Sequence, residues 1–551
     1  MTQVRLVVFE AWNITRFISV TNKRREIAGA SELITYLDRR WVGRALTRIH
    51  RGFEAGWRIE DQPVEILESG AGNAKVLVRD GEVARRLVTE VTTAALREAP
   101  GLEVCGVVSE PFDWSVGGLL HQALQQAERD LEPVRTALPG PDARFLRLPI
   151  VDECATTGLP AESLARQPDG SWEPRSAESD AKWRAYGKQG EGDGLGRLAE
   201  LAGTQPQQLA RVVDRLSGEC DWVGVVYADG NGLGEAFGNF DACVEDGSNR
   251  CYADTLRVFS AAVQRSAKDA FAEAVGRLEA LGARPGRGGP VPVLPLILGG
   301  DDLVAVCEGR WALPFAEAYL RAFERLTAEA SEISVPLVRR GMGPGLSACA
   351  GVAIVKPHFP FAAAQNLAFR LMKDEAKQVK EAIRGRPCSA VSFHVLYDSS
   401  GADLDRIRDR QQFAGAPDGG EIRLVAQPYV VSDVPDDHEW AWGRRWRDLE
   451  RRVAVLAARD DEGERVLPAA QLHDLREALF LGRAVADGRF ANLRQDYGAR
   501  GLDELSGTPD SLFWQEPPQQ HDDGRTHGAA WVTGLLDAMD VDGFLPTGAE
   551  L

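Results

Sequence analysis

The sequence predicts an α+β protein built on two ferredoxin-like units of β-α-β-β-α-β order, and three observations carry that expectation. Apolar runs and helical spacings follow one another in this order over residues 1 to about 110. The same order returns over residues 219 to 356. Each stretch also has a glycine-rich turn between short apolar segments, Ser69-Gly70-Ala71-Gly72-Asn73 in the first and Gly299-Gly300-Asp301-Asp302 in the second. A repeated order with little identity between the copies reads as an internal duplication of architecture.

In the first unit, Val4 to Phe9 reads as a strand. Ala30 to Ile49 has helical spacing, with Leu33, Tyr36, Leu37 and Trp41 on one face. Val64 to Leu67 and Ala74 to Val78 are short strands joined by the first turn. Val83 to Arg97 is helical, and Leu102 to Val108 is the last strand.

The second unit opens with Trp222 to Asp229, whose stretch Val223 to Ala228 is wholly apolar, as in a strand buried on both faces. A long helix covers about Tyr252 to Leu281. Val293 to Ile297 and Leu303 to Cys307 flank Gly299 to Asp302 as a β-hairpin, the glycines supplying the positive φ angles of its turn. A helix from Leu313 to Ala328 and a strand from Leu346 to Val355 complete the unit.

Leu138 to Glu200, rich in Gly, Pro, Ser and charge, reads as an inserted loop region or small subdomain. Beyond Phe393, the amphipathic segments Glu439 to Ala458 and Pro468 to Asp487 predict a mainly helical C-terminal domain. Pro517-Pro518 and His521-Asp522-Asp523-Gly524 mark flexible stretches near the end. The expected domains are 1–135, 136–205, 206–400 and 401–551.

At 551 residues the chain has ample material for several cores. Its 64 basic and 82 acidic residues give a net charge of -18, which argues against a surface that coats nucleic acid. Eight cysteines without a C-x-x-C pair read as reduced thiols of a cytoplasmic protein. No apolar run reaches membrane-spanning length, and Arg5 and Glu10 interrupt the opening segment, so no signal peptide and no membrane partner are expected.

The chemistry is concentrated where apolar runs stop on acids. If the strand ending at Asp229 and the hairpin tip at Asp301 and Asp302 are neighbours, three carboxylates meet at one sheet edge. Hard oxygens gathered in that way suit Mg²⁺ bound together with substrate phosphates, and so two-metal phosphoryl or nucleotidyl transfer.

These motifs resemble those of the large palm-polymerase subunit of type III CRISPR effector complexes, whose second palm makes cyclic oligoadenylate messengers from ATP. Asp229-Gly230-Asn231-Gly232-Leu233-Gly234 is similar to that family's metal-binding first-strand motif, and Gly299-Gly300-Asp301-Asp302 to its GGDD hairpin. Ser347 to His358 resembles the strand that follows, and Ala376-Lys377 the helix-borne lysine. Arg25 to Ser31 and Gly70 to Ala74 resemble the family's non-catalytic first palm. The likeness covers roughly residues 1 to 400 and departs in three places. No HD nuclease domain precedes the first strand, so no DNase activity is expected. Leu148 to Ala161 resembles the zinc knuckle, but Thr157 stands where a second cysteine would be, so no zinc is expected. Asn231 replaces a second aspartate.

The resemblance implies Asp229, Asp301 and Asp302 as catalytic residues. Asp229, Asp301, Asp302 and the Gly230 carbonyl would hold Mg²⁺ (or Mn²⁺). Gly230, Asn231, Gly232, Gly299, Gly300 and Lys377 would bind nucleotide, with Lys356 as another candidate for the triphosphate. The glycines at 230, 232 and 234 leave the backbone open to phosphates. ATP is the expected partner, together with a guide-RNA-containing complex or, alternatively, a second copy of the chain. Two other functions stay open: a non-catalytic scaffold subunit, and a stand-alone palm nucleotide cyclase independent of guide RNA. Asn73 lacks a carboxylate pair, so the first hairpin is expected to pack against the second palm, completing a pocket for a second ATP. Glu10 reads as a strand-end charge, and His473-Asp474 as a solvated helix face. Arg444, Arg445, Arg447, Arg451 and Arg452, interleaved with acids, read as a solvated helix before they read as an RNA contact.

Overall fold

Two sheets with the same strand order carry the duplicated units. The computed structural model describes residues 2–546, apart from 71, 167–169, 188–192, 284–289, 398–400, 415–419, 498–500, 517–518, 521–525 and 528. Ala71 of the first turn and the stretches 517–518 and 521–524 thus lie outside the described residues.

In the first unit, β1 (Gln3–Trp12), β2 (Val64–Gly70), β3 (Asn73–Val78) and β4 (Glu103–Val108) lie in the order β2-β3-β1-β4, all antiparallel. In the second, β5 (Val223–Asn231), β6 (Val293–Gly299), β7 (Asp302–Glu308) and β8 (Ser347–Val355) repeat it as β6-β7-β5-β8. Two further strands extend that edge. β9 (Ala390–Val395) runs parallel to β8, and β10 (Tyr429–Val430) pairs with β9. The boundary expected near residue 400 therefore falls inside a sheet. A two-residue strand leaves no periodic signal to read.

Period-2 alternation distributes the side chains of β5 between two cores. Val226 and Ala228 join one with Leu303 and Ala305, while Val223, Val225 and Tyr227 join the other with Val304 and Val306. Both faces are buried, as the unbroken apolar run predicts. The first core is closed by α4 (Asn249–Ala280) and α5 (Gly309–Glu329). Ser248 caps α4, its hydroxyl accepting from the Cys251 N–H at 3.1 Å. Tyr252, Leu256, Phe259, Val263 and Phe271 follow on its buried stripe.

The helix expected over 30–49 begins earlier and is interrupted. α1 spans Arg24–Ile34, a π-helical turn covers Leu37–Trp41, and α2 runs Val42–Ile49. Charged Arg24 and Glu26 conceal its true start because both are buried by partners distant in sequence. Glu26 accepts hydrogen bonds from Ser179 Oγ (2.9 Å) and Thr156 Oγ1 (3.2 Å) of the linker. Beside it Lys182, fully buried on α3 (Ala177–Tyr186), donates to Glu178 at 2.6 Å and to the Phe17 carbonyl at 2.5 Å. In the loop resembling a zinc knuckle, Cys154 Sγ lies 3.4 Å from Thr156 Oγ1, and Thr157 Oγ1 lies 3.0 Å from Ser176 Oγ. Burial pushes the Cys154 thiol up, but hydrogen bonds from Thr156 and Thr157 overcome this and hold it at about 6.

The C-terminal region is helical over Trp446–Ala457, Ala469–Leu481, Arg483–Tyr497 and Leu535–Val541. It also carries a four-stranded sheet of Gln412–Ala414, Glu421–Arg423, Ala530–Val532 and Trp514–Glu516, which the mainly helical expectation lacks. Its arginines are not one solvated row. Arg444, Arg445 and Arg452 are buried; Arg444 pairs with Glu516, and Arg445 and Arg452 donate to backbone carbonyls. They hold the domain together rather than present charge. No helix among the described residues is long and apolar enough to cross a membrane.

Candidate active site

The second sheet brings the end of β5 beside the β6–β7 hairpin. Leu303 of β7 stands opposite Ala228 of β5, so Asp302 opens β7 one step beyond that pair, at the level of Asp229. Asp302 pairs with Gly299, leaving a two-residue turn of Gly300 and Asp301. Gly300 alone adopts the left-handed region, φ 62°, as the first position of a II′-like turn requires; Gly299 does not, contrary to the expectation for both glycines.

Asp301 lies against the backbone of β5. A Cβ added at Gly230 would meet the Asp301 Cβ at 2.5 Å and its Oδ2 at 2.7 Å. Gly230 is needed to seat this carboxylate, a steric reason that the motif alone does not reveal. Burial first, then the charge of Asp229, pushes the Asp301 carboxyl up to about 6. Burial, then Asp301 and Asp229, pushes Asp302 up to about 8. The Tyr227 hydroxyl, two residues before Asp229, is driven up by burial and by Asp302 and Asp229. These carboxylates repel one another across one corner, and Lys377 is the cation that offsets them.

Lys377 forms an ion pair with Asp229 Oδ2. It sits on the single turn Ala376–Gln378 after a π-helical turn, Leu371–Glu375. The Cys349 thiol of β8 donates to the Ala376 carbonyl at 3.3 Å, fixing that turn against the strand opposite Asp229. Among the described residues, no group of three or more His, Cys, Asp or Glu side chains is gathered closely enough to hold a metal ion. The expected three-carboxylate cage is therefore not preformed: Asp229 faces Lys377, Asp301 rests on Gly230, and Asp302 belongs to the strand. Hard oxygen donors with raised proton affinity and one lysine to balance them nonetheless fit a divalent cation by their chemistry.

A family model for the second palm domain of Cas10/Cmr2 matches residues 222–384. This segment is a Cas10/Cmr2 second palm. No curated protein matches the chain. Among solved structures, the chain is similar to a Csm1-Csm4 cassette in complex with cA4, with 14% identity and a TM-score of 0.41, covering 92% of this chain and 69% of that one. It is similar to the same cassette in complex with AMPPNP at 12% identity, TM-score 0.45, covering 93% and 66%. A type III-B Cmr-beta complex in its apo state gives 10% identity, TM-score 0.47, covering 98% and 81%.

Within the palm, two expected nucleotide contacts are corrected. Asn231 is 6% exposed, and its amide donates to Ser347 Oγ (3.2 Å), Cys349 Sγ (3.1 Å) and the Cys388 carbonyl (3.4 Å). Its amide nitrogen braces β5 against β8 and the segment just before β9, while its Oδ1 is buried without a hydrogen-bond partner among the described residues. Lys356 lies at the other end of β8, beside Val355, which pairs with Val223. It donates to the Asp221 carbonyl at 3.4 Å and stacks over Trp222 at 3.7 Å. Gly232, φ 93°, turns the chain into the short helix Leu233–Gly238, and a Cβ on Gly234 would meet nothing within 4 Å.

Outside the palm, Glu10 is paired with Arg135, whose Nε donates at 2.7 Å. Asn73 stands opposite Glu10 in the first sheet. His473 is exposed beside Glu477, and Asp474 pairs with Arg489, as a solvated helix face requires. An ion-pair cluster between the two units was not legible in the sequence. Glu65 of β2, fully buried, accepts from Arg250 (2.7 Å), Arg58 (3.1 Å) and Arg257, and Arg250 also reaches Glu60. Its one sequence signal is a carboxylate inside an apolar strand.

Proposed function

We propose that the chain is a nucleotidyltransferase that makes cyclic oligoadenylates from ATP, as the large subunit of an RNA-guided type III CRISPR complex in antiviral defence. One observation carries the reading: strand register and packing bring Asp229, Asp301 and Asp302 to one corner of the segment that matches the Cas10/Cmr2 second palm. Asp229 and Asp301, with the Gly230 carbonyl and Asp302 beside them, would hold Mg²⁺ or Mn²⁺. Bound there, the metal supplies acidification of a ribose hydroxyl and charge relief at the α-phosphate and departing pyrophosphate.

The chain's own residues do the rest. Gly230 gives Asp301 room to lie against β5, which sets where the carboxylate oxygens can reach. Lys377 neutralises Asp229 until a competing cation arrives, and its ammonium then turns to the triphosphate. Asn231, Ser347 and Cys349 keep the strand end straight under that charge. β2 of the first unit packs beside α4 of the second.

The test is product formation from ATP and Mg²⁺ by the purified chain and by the assembled complex, with and without guide and target RNA. Oligoadenylate made only with RNA supports the proposal, and product from the chain alone points to a free cyclase. A scaffold role has one observation in its favour, the engagement of Asp229 by Lys377 where the described residues form no group of three metal-ligating side chains. No product in any arm, or product from Asp301→Ala/Asp302→Ala, would overturn the catalytic reading.

A further inference from the structure

Lys377 sits in a stretch of chain that changes helical form repeatedly. α6 (Phe361–Arg370) runs into the π-helical turn Leu371–Glu375, then the tighter turn Ala376–Gln378, then one α-helical turn, Val379–Ala382. The break falls at Glu375, whose φ of -117° and ψ of -62° lie two residues before the lysine. Short π and 3₁₀ turns have poorer hydrogen-bond geometry than an α-helix, so such a segment needs side chains to hold it.

The hold comes from outside the matched palm segment. Arg408 lies on α7 (Leu404–Arg410), beyond residue 384 where the family match ends. Its guanidinium grips Glu375 with two prongs, Nε donating to Oε1 at 2.6 Å and Nη2 to Oε2 at 2.8 Å. Both side chains are largely buried, 16% and 15% exposed, and a bidentate pair fixes orientation as well as distance. The arginine is itself held. Nη1 donates to Gln411 Oε1 at 2.8 Å, and Nη2 also reaches Gln427 Oε1 at 3.3 Å. Gln427 in turn donates to Asp537 of the helix Leu535–Val541 at 2.8 Å.

Neighbouring contacts are weaker. Arg370 pairs with Asp374 and Asp405, acids open to solvent, where ion pairs contribute little. The Cys349 thiol that bonds the Ala376 carbonyl is a weak donor. The buried pair therefore fixes the turn. We propose that Arg408 is a positioning residue: by clasping Glu375 it sets where the Lys377 ammonium stands against Asp229, and it ties that setting to the C-terminal domain. Without the clasp the turn pivots at Glu375 and the lysine leaves its carboxylate. The bearing of Arg408 on a bound triphosphate rests on the nucleotidyl-transfer reading above; its hold on Lys377 does not.

Acetylation of the full chain by a water-soluble N-hydroxysuccinimide ester, resolved by site with mass spectrometry, reads each lysine without nucleotide or metal. A lysine held against a carboxylate is shielded from the reagent, and a freed one reacts faster. Arg408→Met is expected to raise the Lys377 rate several-fold, with Lys356 unchanged and the fully buried Lys182 still unreactive. Glu375→Gln should match it, and the double variant should exceed neither, because both remove one interaction. Arg408→Lys keeps the charge but loses the fork, and covers the case in which the methionine variant does not fold; its Lys377 rate should fall between the two. A Lys377 rate unchanged in the folded variants, or one that rises only in step with Lys182, overturns the inference.

Affinity for α,β-methylene ATP with Mg²⁺ gives a second readout. Arg408→Met should weaken binding in the unaltered background and have no further effect in Lys377→Met, whereas additive losses would overturn action through the lysine. Binding of the analogue by none of the chains would count against the synthesis reading, and the acetylation pattern would still decide the clasp.

Discussion

Lys377 and Asp229, 148 positions apart in the chain, form an ion pair at the corner where the second palm carries its carboxylates. Both side chains are about one quarter exposed, 27% and 24%, so the pair is reachable by a competing ion from solvent. The lysine is held there by a turn anchored to β8 through Cys349. A metal that takes Asp229 must displace it.

Lys377→Met is therefore expected to tighten binding of Mn²⁺ to the nucleotide-free chain by several-fold and to weaken ATP binding. Electron paramagnetic resonance titration of free Mn²⁺ measures the first effect and calorimetry the second. Looser Mn²⁺ binding in the variant would show that the lysine does not compete.

Asp301 and Asp302 set a pH dependence whose sign can be worked out. Their folded-state values, about 6 and about 8, lie above the ordinary carboxylate range near 4. The folded state therefore binds protons that the unfolded chain releases. Its stability from this source is fully present below pH 4 and is lost as pH rises through 6 to 8. Without divalent metal, Asp302→Asn should raise the melting temperature at pH 8 by a few degrees, and the gain should vanish near pH 4. A gain independent of pH would contradict the raised proton affinity that burial and the neighbouring carboxylates give these groups.

Gly230→Ala places a methyl where Asp301 rests. The carboxylate must move, and a displacement near 1 Å in a positioned site costs about a hundredfold in rate. Oligoadenylate synthesis should fall by that order while far-ultraviolet circular dichroism stays unchanged. Full activity would show that Asp301 has room to spare.

Glu65→Ala leaves Arg58, Arg250 and Arg257 without the buried carboxylate that joins them. The arginines left behind are 45%, 28% and 27% exposed, so the cost is that of lost charge-assisted hydrogen bonds, about 1.5–3 kcal/mol. Denaturant unfolding should show that loss, with limited proteolysis reporting separation of the two units. A loss below about 1 kcal/mol would place the cluster among ordinary surface pairs.

Elements that carry their own periodicity were legible. The apolar run of β5 became a strand buried on both faces, and the Tyr252 to Leu281 spacing became α4. The glycine-aspartate stretch became the hairpin. Features that depend on a partner far along the chain were not. The first turn of α1 carries Glu26, whose partners lie in the linker, and the sequence spacing starts that helix only at Ala30. Asn231 reads as a ligand from its place in the motif, but its amide nitrogen is taken up by β8 and the Cys388 carbonyl. Lys356 and Lys377 are equivalent as sequence; the register of β8 puts the first at the wrong end of the strand.

By itself, the sequence determined the order of the main strands within the two units, the duplication and the positions at which acids end apolar runs, because periodicity and turn chemistry are local properties of the chain. Only the tertiary structure decided which of those acids share a corner, which lysine answers them and which arginine clasps the turn that carries it. Those outcomes depend on strand register and on the packing of one unit against the other. They are fixed by distances between residues that have no neighbour relation in the chain.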